Sequence, residues 1–216
     1  MSVSLFNSKK AAIVASKLLS VGAIQLRPDQ PFSWASGWKS PIYCDNRLSL
    51  SFPEVRTYIK QLLAGCIQDS FPSAEVISGV ATAGIPQGSL VADVLDLPFT
   101  YVRSKAKGHG MENMIEGKIE AGQKVVVVED LVSTGGSSLK SVESLRAVGA
   151  EVLGMVAIFT YGFQVSEENF SKANLELVTL SDYDHLIDEA LRQGVVAEAH
   201  KEALAAWRQD PADWGK

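Results

Sequence analysis

The sequence predicts an α/β protein built on a central, mainly parallel sheet that is flanked by helices. Apolar runs of strand length alternate with helical patterns from about residue 53 onward, as in successive β-α-β units. One run, 124–129, holds four consecutive valines, which indicates a strand buried on both faces. The length of 216 residues, with 46% apolar and 21% charged residues, fits a single domain over 1–216.

The individual elements follow from the spacing of apolar and turn-forming residues. A helix is expected over 8–20, and prolines then break the chain into an irregular segment, 27–46, that is rich in tryptophan and serine. Pro53 opens the clearest helix, because apolar residues from Val55 to Ile67 recur at helical period. The later elements are expected as strands at 76–79, 99–103, 124–129, 152–160 and 175–180, helices at 84–95, 136–148, 183–193 and 195–208, and a frayed tail at 210–216.

Charge and cysteine content narrow the class of protein. The net charge is −5, which disfavours a nucleic-acid partner because binding a phosphate backbone needs a basic surface. Cys44 and Cys66 match neither a disulfide framework nor a Cys-x-x-Cys pattern, so we expect two reduced thiols and a cytoplasmic location. No stretch reaches 18 consecutive apolar residues, so no membrane association is expected.

The strongest chemical signal is the segment 125–138, in which a buried strand ends in two acids and continues into a loop of Ser, Thr and Gly. Ligands of open α/β sheets bind at the carboxyl ends of strands, where Glu129 and Asp130 fall. Backbone N–H groups and hydroxyls of the loop 133–137 suit a monophosphate at a helix N-terminus. Acids that accept hydrogen bonds from sugar hydroxyls complete a site for a phosphorylated pentose. The alternative is that the acids cap a turn and the glycines only allow close packing.

A second signal is a basic segment between the second and third expected strands of the core. Arg103, Lys105, Lys107 and His109 occupy alternate positions, so an extended chain directs all four side chains to one side. Neighbouring glycines give the segment the freedom of a mobile lid that could close over a polyanion. A solvated basic hairpin is the alternative for such a run in isolation.

Four motifs together carry a resemblance to a known family. They are the acidic strand and loop at 125–138, the segments 32–47 and 79–86, and the basic segment at 101–110. In this order they resemble the orotate phosphoribosyltransferases, within the type I phosphoribosyltransferases. The resemblance implies a type I phosphoribosyltransferase fold with a small hood formed largely by the N-terminal region. It divides the chain into a hood of approximately 1–50, an α/β core of approximately 51–182 and C-terminal helices of approximately 183–209.

The resemblance also implies an activity, which is transfer of phosphoribosyl from 5-phosphoribosyl 1-diphosphate (PRPP) to orotate. Its expected catalytic residues are Lys107, His109 and Asp130, and Ser133 is expected to contact orotate as well as PRPP. Mg²⁺ is the expected cofactor, carried by PRPP without a direct protein ligand. A homodimer is implied, because the family's lid reaches into the partner subunit's site. The residues expected to bind PRPP are Arg103, Lys107, His109, Glu129, Asp130, Leu131, Val132, Ser133, Thr134, Gly135, Gly136 and Ser137.

The chain departs from the family at several cationic positions. Some members carry Lys where this chain has Ala35, Ala83 and Ser104, so those cationic contacts are either absent or supplied by Lys39 and Lys105.

Many members also carry an Arg for the orotate carboxylate on the strand after the PRPP helix. The corresponding stretch here, 158–162, has none, which leaves that contact unassigned. Glu129 replaces the more usual Asp. Trp34 and Trp38 are candidates for a wall over the flat pyrimidine.

Two other functions remain open at this stage. A purine phosphoribosyltransferase would share the PRPP loop, so only the hood segment and the lid favour orotate. A PRPP-sensing regulator would bind without catalysis, but it would need a basic nucleic-acid surface or an added domain, and this chain has neither by sequence.

Overall fold

The computed structural model describes residues 2–34, 37–105 and 114–215 of the chain. The strands are β1 Val3–Leu5, β2 Ile24–Leu26, β3 Phe32–Ser33, β4 Lys39–Ser40, β5 Ile42–Cys44, β6 Val76–Val80, β7 Phe99–Val102, β8 Ile115–Glu116, β9 Lys124–Val132, β10 Glu151–Thr160 and β11 Leu177–Asp182. The helices are α1 Ser8–Ser20, α2 Pro53–Ser70, α3 Gly84–Leu95, α4 Gly136–Ala147, α5 Gln164–Lys172, α6 Tyr183–Arg192 and α7 Lys201–Gln209, with 3-10 helices at Asn46–Ser51 and Glu198–His200.

In the described part of the chain, the main sheet has seven strands in the order β1-β11-β10-β9-β6-β7-β8. Every pairing in it is parallel except that of β7 with β8, which is antiparallel. The chain runs from β6 outward to β7 in one direction and from β9 outward to β10 in the other. The gap between β6 and β9 is therefore the point at which the strand order reverses, where open α/β sheets bind ligands. The predicted α/β class with a mainly parallel sheet is confirmed.

The valine run of β9 is buried on both faces of the sheet, as predicted. Val126 and Val128 belong to one apolar cluster, and Val125 and Val127 to the other, and all four are 0% exposed. The first cluster includes residues of α1, α2, α3, α6 and α7, whereas the second includes residues of α4 and α5. Layers of helices on both faces of the sheet hold β9, and hence its carboxyl end, in the centre of the molecule.

Some elements differ from the sequence-based predictions. β9 continues to Val132, and the last long helix begins as a 3-10 turn at Glu198 instead of at 195. Residues 210–215 form turns and Trp214 packs against the core, so the predicted frayed tail is wrong over this part. The sequence analysis also missed β1 and α5, because β1 has only three residues and α5 buries little apolar surface of its own.

The N-terminal region adds two small antiparallel sheets, one pairing β2 with β5 and the other β3 with β4. Two further backbone hydrogen bonds extend the pairing of β2 with β5 at both ends. Arg27 N–H donates to the carbonyl of Pro41 at 2.7 Å, and Asp45 N–H donates to the carbonyl of Ala23 at 2.7 Å. This region precedes the 3-10 helix at Asn46–Ser51 and matches the expected hood in position. The boundaries of hood, core and C-terminal helices stay a prediction. Within the described parts of the chain, no helix has the length and apolar character needed to cross a bilayer.

Candidate active site

β9 places two adjacent acids at the carboxyl end of the sheet. β6 pairs with β9 only as far as Gly79 opposite Val128, so Glu129 and Asp130 lie just beyond the end of that ladder. Glu129 is 5% exposed and accepts two hydrogen bonds, at 2.9 Å from the hydroxyl of Ser138 and at 3.0 Å from the backbone N–H of Asp130. The Glu129 side chain is therefore fixed between the strand and the helix that follows it.

Burial opposes ionisation of this acidic pair. It raises the pKa of Glu129 well above the ordinary value of 4.5, and the neighbouring charge of Asp130 raises it further. Burial also raises the pKa of Asp130, although hydrogen bonds to its carboxylate and the charge of Arg47 act in the opposite direction. A ligand that donates hydrogen bonds to these carboxylates would relieve the cost of their desolvation.

Asn46 also holds the backbone of the acidic strand, through a contact that the sequence analysis missed. Its side-chain N–H₂ donates to the carbonyl oxygen of Asp130 at 2.8 Å, and Asn46 itself is 0% exposed. Ser49 donates to the carbonyl of Asn46 at 2.6 Å, and the side chain of Gln87 in α3 donates to the hydroxyl of Ser49 at 3.4 Å. This chain of polar contacts joins the 3-10 helix, β9 and α3. The only signal in the sequence was the position of Asn46 inside the segment 32–47.

The loop from Ser133 to Ser137 turns directly into α4. Gly135 has φ of 83°, and a Cβ there would lie 2.7 Å from the ring of Phe170. The side chain of Asn169, one residue earlier in α5, donates to the carbonyl of Thr134 at 3.0 Å. The N-cap residue of α4 is Gly135, which has no side chain to cap the helix, so the first backbone N–H groups of α4 suit an anion. The helix α5, absent from the sequence-based predictions, thus shapes this loop.

A second loop, 80–84, lies beside the acids and falls within the segment 79–86, one of the four motifs that carry the family resemblance. A cis peptide bond joins Ala81 to Thr82, and α3 begins at Gly84. A Cβ on Gly84 would lie 2.5 Å from the carbonyl oxygen of Val128, so only glycine allows this approach of α3 to β9. The loop and the acidic pair therefore face the same crevice between β6 and β9.

A pocket of about 350 Å³ opens between the hood and the carboxyl end of the sheet. Ser133, from the loop 133–137 that is expected to bind phosphate (the phosphate-type loop), forms part of its wall, as does Trp34 of the hood. Trp38 stacks on Trp34 with ring centroids 6.4 Å apart but is not a lining residue, so of the two tryptophans only Trp34 faces the pocket. The lining residues are Ser33, Trp34, Tyr43, Cys44, Leu131, Ser133 and Tyr161.

The stretch 158–162, where the orotate contact was unassigned, contributes Tyr161 to this pocket. Tyr161 is 2% exposed, and Trp207 of α7 packs edge-on against both Tyr161 and Trp34, with ring centroids 5.6 Å apart in each pair. Trp207 is 0% exposed and is therefore the buried support of two pocket walls.

Two of the expected basic residues, Arg103 and Lys39, make contacts within the described part of the chain. The guanidinium of Arg103 forms an ion pair with the carboxylate of Glu116 at 3.0 Å, and the backbone N–H of Arg103 donates to the carbonyl of Met114 at 2.7 Å. The ammonium of Lys39 donates to the hydroxyl of Ser33 at 2.9 Å, which brings this cation to the rim of the pocket.

The two catalytic candidates of the basic segment, Lys107 and His109, lie outside the described residues. Lys105, the other possible substitute for the absent family lysines, is described and exposed.

Comparison with known proteins identifies the family. A family model for the phosphoribosyl transferase domain matches residues 50–184. The chain is 58% identical over 203 residues to the orotate phosphoribosyltransferase of Cytophaga hutchinsonii, covering 94% of this chain and 97% of that protein. It is 54% identical, with the same two coverages, to the orotate phosphoribosyltransferase of Listeria innocua. The chain belongs to the orotate phosphoribosyltransferase family.

Solved structures agree with membership of the orotate phosphoribosyltransferase family. The orotate phosphoribosyltransferase of Aeropyrum pernix superposes with a TM-score of 0.73 at 30% identity, covering 85% of this chain and 99% of that one. An adenine phosphoribosyltransferase from Leishmania tarentolae shares the fold at a TM-score of 0.60 and 23% identity, covering 81% and 90%. The fold is thus common to enzymes for different bases, and the sequence identity decides between them.

Proposed function

We infer that this chain transfers the 5-phosphoribosyl group from PRPP to N1 of orotate, which yields orotidine 5′-phosphate and diphosphate in pyrimidine biosynthesis. The observation that carries this conclusion is the identity of 54–58% to orotate phosphoribosyltransferases over nearly the whole chain. The geometry agrees with it, because a largely apolar pocket adjoins a phosphate-type loop through Ser133, which belongs to both.

Glu129 and Asp130 are proposed to accept hydrogen bonds from the ribose hydroxyls of PRPP. Their position at the end of β9, next to the loop 133–137, supports this role because ribose and 5-phosphate are adjacent in PRPP. The loop would bind the 5-phosphate and so hold the ring for displacement at the anomeric carbon. As diphosphate leaves, the ring gains oxocarbenium character, and the nearby carboxylates favour that developing positive charge.

The basic segment is proposed to close over the diphosphate. Arg103 and Lys107 would neutralise the leaving group, and His109 would donate a proton or hydrogen bond to it. Two observations support this proposal. Arg103 directly follows the end of β7, and the side chain of Lys105 is exposed. We also propose a homodimer in which each lid serves the partner's site.

Mg²⁺ is proposed to accompany PRPP, held by the diphosphate and the ribose hydroxyls. Within residues 2–34, 37–105 and 114–215, no group of three or more His, Cys, Asp or Glu side chains is arranged to hold a metal ion. Glu129 and Asp130 fit an ion carried in this way, because their carboxylates would accept hydrogen bonds from the same ribose hydroxyls of PRPP. When bound, the ion supplies charge neutralisation at the diphosphate. The predicted cytoplasmic location stays a proposal.

The test of the function is diphosphate release from PRPP in the presence of Mg²⁺. We expect release that depends on orotate, with adenine, guanine and uracil giving background rates. Release that depends on a purine would establish the rival enzyme. PRPP binding without turnover of any base would favour the PRPP-sensing regulator.

The ribose assignment has its own test in the variant Asp130→Asn. We expect the KM for PRPP to rise much more than the binding constant for orotate weakens, because only PRPP carries the ribose hydroxyls. Equal losses for both substrates would contradict the assignment.

The shared lid is tested by complementation. Lys107→Ala is expected to lower kcat at least about ten-fold with an unchanged circular dichroism spectrum. Mixed dimers of Lys107→Ala and Asp130→Asn chains should regain activity, since one of the two sites combines two intact contributions. No recovery in dimers shown to be mixed would contradict a lid that crosses the interface.

A further inference from the structure

Tyr161 carries a polar hydroxyl group at the wall of the pocket. The residue is 2% exposed and lines the pocket, yet its hydroxyl has no hydrogen-bond partner among the described residues. This hydroxyl is not one of the fully enclosed, unpaired side-chain atoms of the described residues, so the pocket leaves it open to a ligand. Buried hydroxyls are normally hydrogen-bonded, because an unsatisfied one costs free energy. Tyr183, a second buried tyrosine nearby, follows that rule and donates to the carbonyl of Leu204 at 3.0 Å.

The ring of Tyr161 is held by aromatic contacts from several elements. It stacks with Phe163 at a centroid distance of 5.4 Å and meets Phe159 edge-on at 5.7 Å. Trp34 lies 5.4 Å from it on the hood side, and Trp207 packs edge-on behind it. A side chain fixed in this way presents its hydroxyl in a constant position, which is the condition for a preorganised ligand contact.

The chemistry of the pocket limits what this hydroxyl can bind. Its lining, as far as the described residues form it, includes no Arg, Lys or His, and three of these residues, Trp34, Tyr43 and Tyr161, are aromatic. Burial raises the pKa of Tyr161 well above its ordinary value, and the nearby groups of Cys44 and Asp130 raise it further. The hydroxyl therefore remains a proton donor at neutral pH, and it suits a flat ligand that carries acceptor oxygens on its rim.

We propose that Tyr161 is a specificity-determining residue whose hydroxyl donates a hydrogen bond to an oxygen of bound orotate. The proposal rests on the proposed function, because that function puts orotate in this pocket. Orotate is planar and carries carbonyl and carboxylate oxygens around its ring, so it can supply the acceptor that the described residues do not offer to this hydroxyl. Tyr161 acts beside Ser133, which lines the same pocket from β9 and its loop.

The deciding variant is Tyr161→Phe, which removes the hydroxyl and keeps the packed ring. We expect the KM for orotate to rise roughly ten-fold or more, as for loss of a hydrogen bond to a charged or strongly polar acceptor, with the KM for PRPP within about two-fold of wild type. Tyr183→Phe is the matched control. It removes a buried hydroxyl from the same aromatic cluster, on a residue that does not line the pocket, and should leave both KM values unchanged.

Three results would overturn the proposal. They are an unchanged KM for orotate in Tyr161→Phe, an equal rise in both KM values, and an equal effect of Tyr183→Phe. Thermal melting of both variants separates binding from folding, since Tyr183→Phe loses an internal hydrogen bond and Tyr161→Phe loses none among the described residues. A wild-type protein that shows no orotate-dependent diphosphate release would instead refute the proposed function itself.

Discussion

The side chain of Asn46 donates a hydrogen bond of 2.8 Å to the backbone carbonyl of Asp130, which lies 84 positions further along the chain. This contact joins the end of the hood to the strand that carries the acidic pair. Because a backbone group is held, the direction of the following residues, from Leu131 to the loop, depends on Asn46. Asn46 is thus a positioning residue for the site, although its side chain is 0% exposed.

Replacing Asn46 by Ala should weaken both stability and substrate binding. The carbonyl of Asp130 would lose its donor, and we expect a loss of about 1–3 kcal/mol in the free energy of unfolding together with a higher KM for PRPP. Asn7→Ala is the control, since Asn7 caps α1 by accepting from Lys10 at 3.0 Å and stands apart from the lining of the pocket. Asn7→Ala should lower the free energy of unfolding by about 1 kcal/mol and leave the KM for PRPP unchanged. Denaturant titration and steady-state kinetics make the measurement, and equal KM values for Asn46→Ala and wild type would contradict the role.

Replacing Glu129 by Gln should stabilise the protein while it impairs PRPP use. Burial raises the pKa of Glu129 in the folded state, so folding favours the protonated form and stability is lost as pH rises above the ordinary value of 4.5. The side-chain amide of Gln does not ionise, so Glu129→Gln does not lose stability in this way as the pH rises. The melting temperature of Glu129→Gln should therefore match wild type at acid pH and exceed it increasingly above pH 4.5.

Glu54→Gln provides a control of opposite sign for that experiment. Lys17 holds the pKa of the exposed Glu54 carboxyl below 4.5 through a hydrogen bond of 2.9 Å. Its ionised form is favoured in the folded state, so Glu54→Gln should bring no gain in melting temperature above that pH. A difference between Glu129→Gln and wild type that does not change with pH would refute the burial argument.

Substitution of Gly135 by Ala should disrupt the phosphate-type loop through two separate effects. The φ of 83° disfavours any side chain by about 1–2 kcal/mol, and the new Cβ would lie 2.7 Å from the ring of Phe170. Gly122→Ala isolates the first effect, because Gly122 has φ of 84° and nothing within 4 Å of its Cβ position. Denaturant unfolding should show a larger loss for Gly135→Ala, with a raised KM for PRPP in that variant alone. Identical losses would mean that Phe170 does not constrain the loop.

Replacing Trp207 by Ala should cost about 3–5 kcal/mol in the free energy of unfolding, the usual range for a buried tryptophan. Trp207 is 0% exposed and contacts Trp34, Tyr161 and Tyr183, so its loss also leaves two pocket walls without support. Orotate binding measured by calorimetry should weaken more than PRPP binding does. Trp214→Ala, at a partly buried residue, should cost less and leave orotate binding intact. A variant of Trp207 with wild-type orotate affinity would show that the support is unnecessary.

The central strand and its loop were predictable because their signals are local. Four adjacent valines, two acids and a Ser/Thr/Gly loop occupy one short segment, and the structure builds them into β9, the loop and the start of α4. The aromatic wall was predicted in part, since Trp34 lines the pocket and Trp38 stacks behind it without lining the pocket.

Other features depend on residues that are distant in sequence. Asn46 meets Asp130, Phe170 limits Gly135 and Trp207 supports Tyr161 only after the sheet order has been established. None of these pairs has a signature in its own neighbourhood, and α5, which carries Phe170, has too few apolar residues for a clear helical period.

The sequence by itself determined the α/β class, the acidic strand end and the family, since these follow from hydrophobic period and from contiguous motifs. The tertiary structure decided which side chains surround the pocket and which of them, like Tyr161, have a polar group that no other described residue hydrogen-bonds. The physical reason is that periodicity reports which face of an element is buried but not what is buried against it. Partners are chosen by packing between elements, and packing is a property of the assembled sheet and its helices.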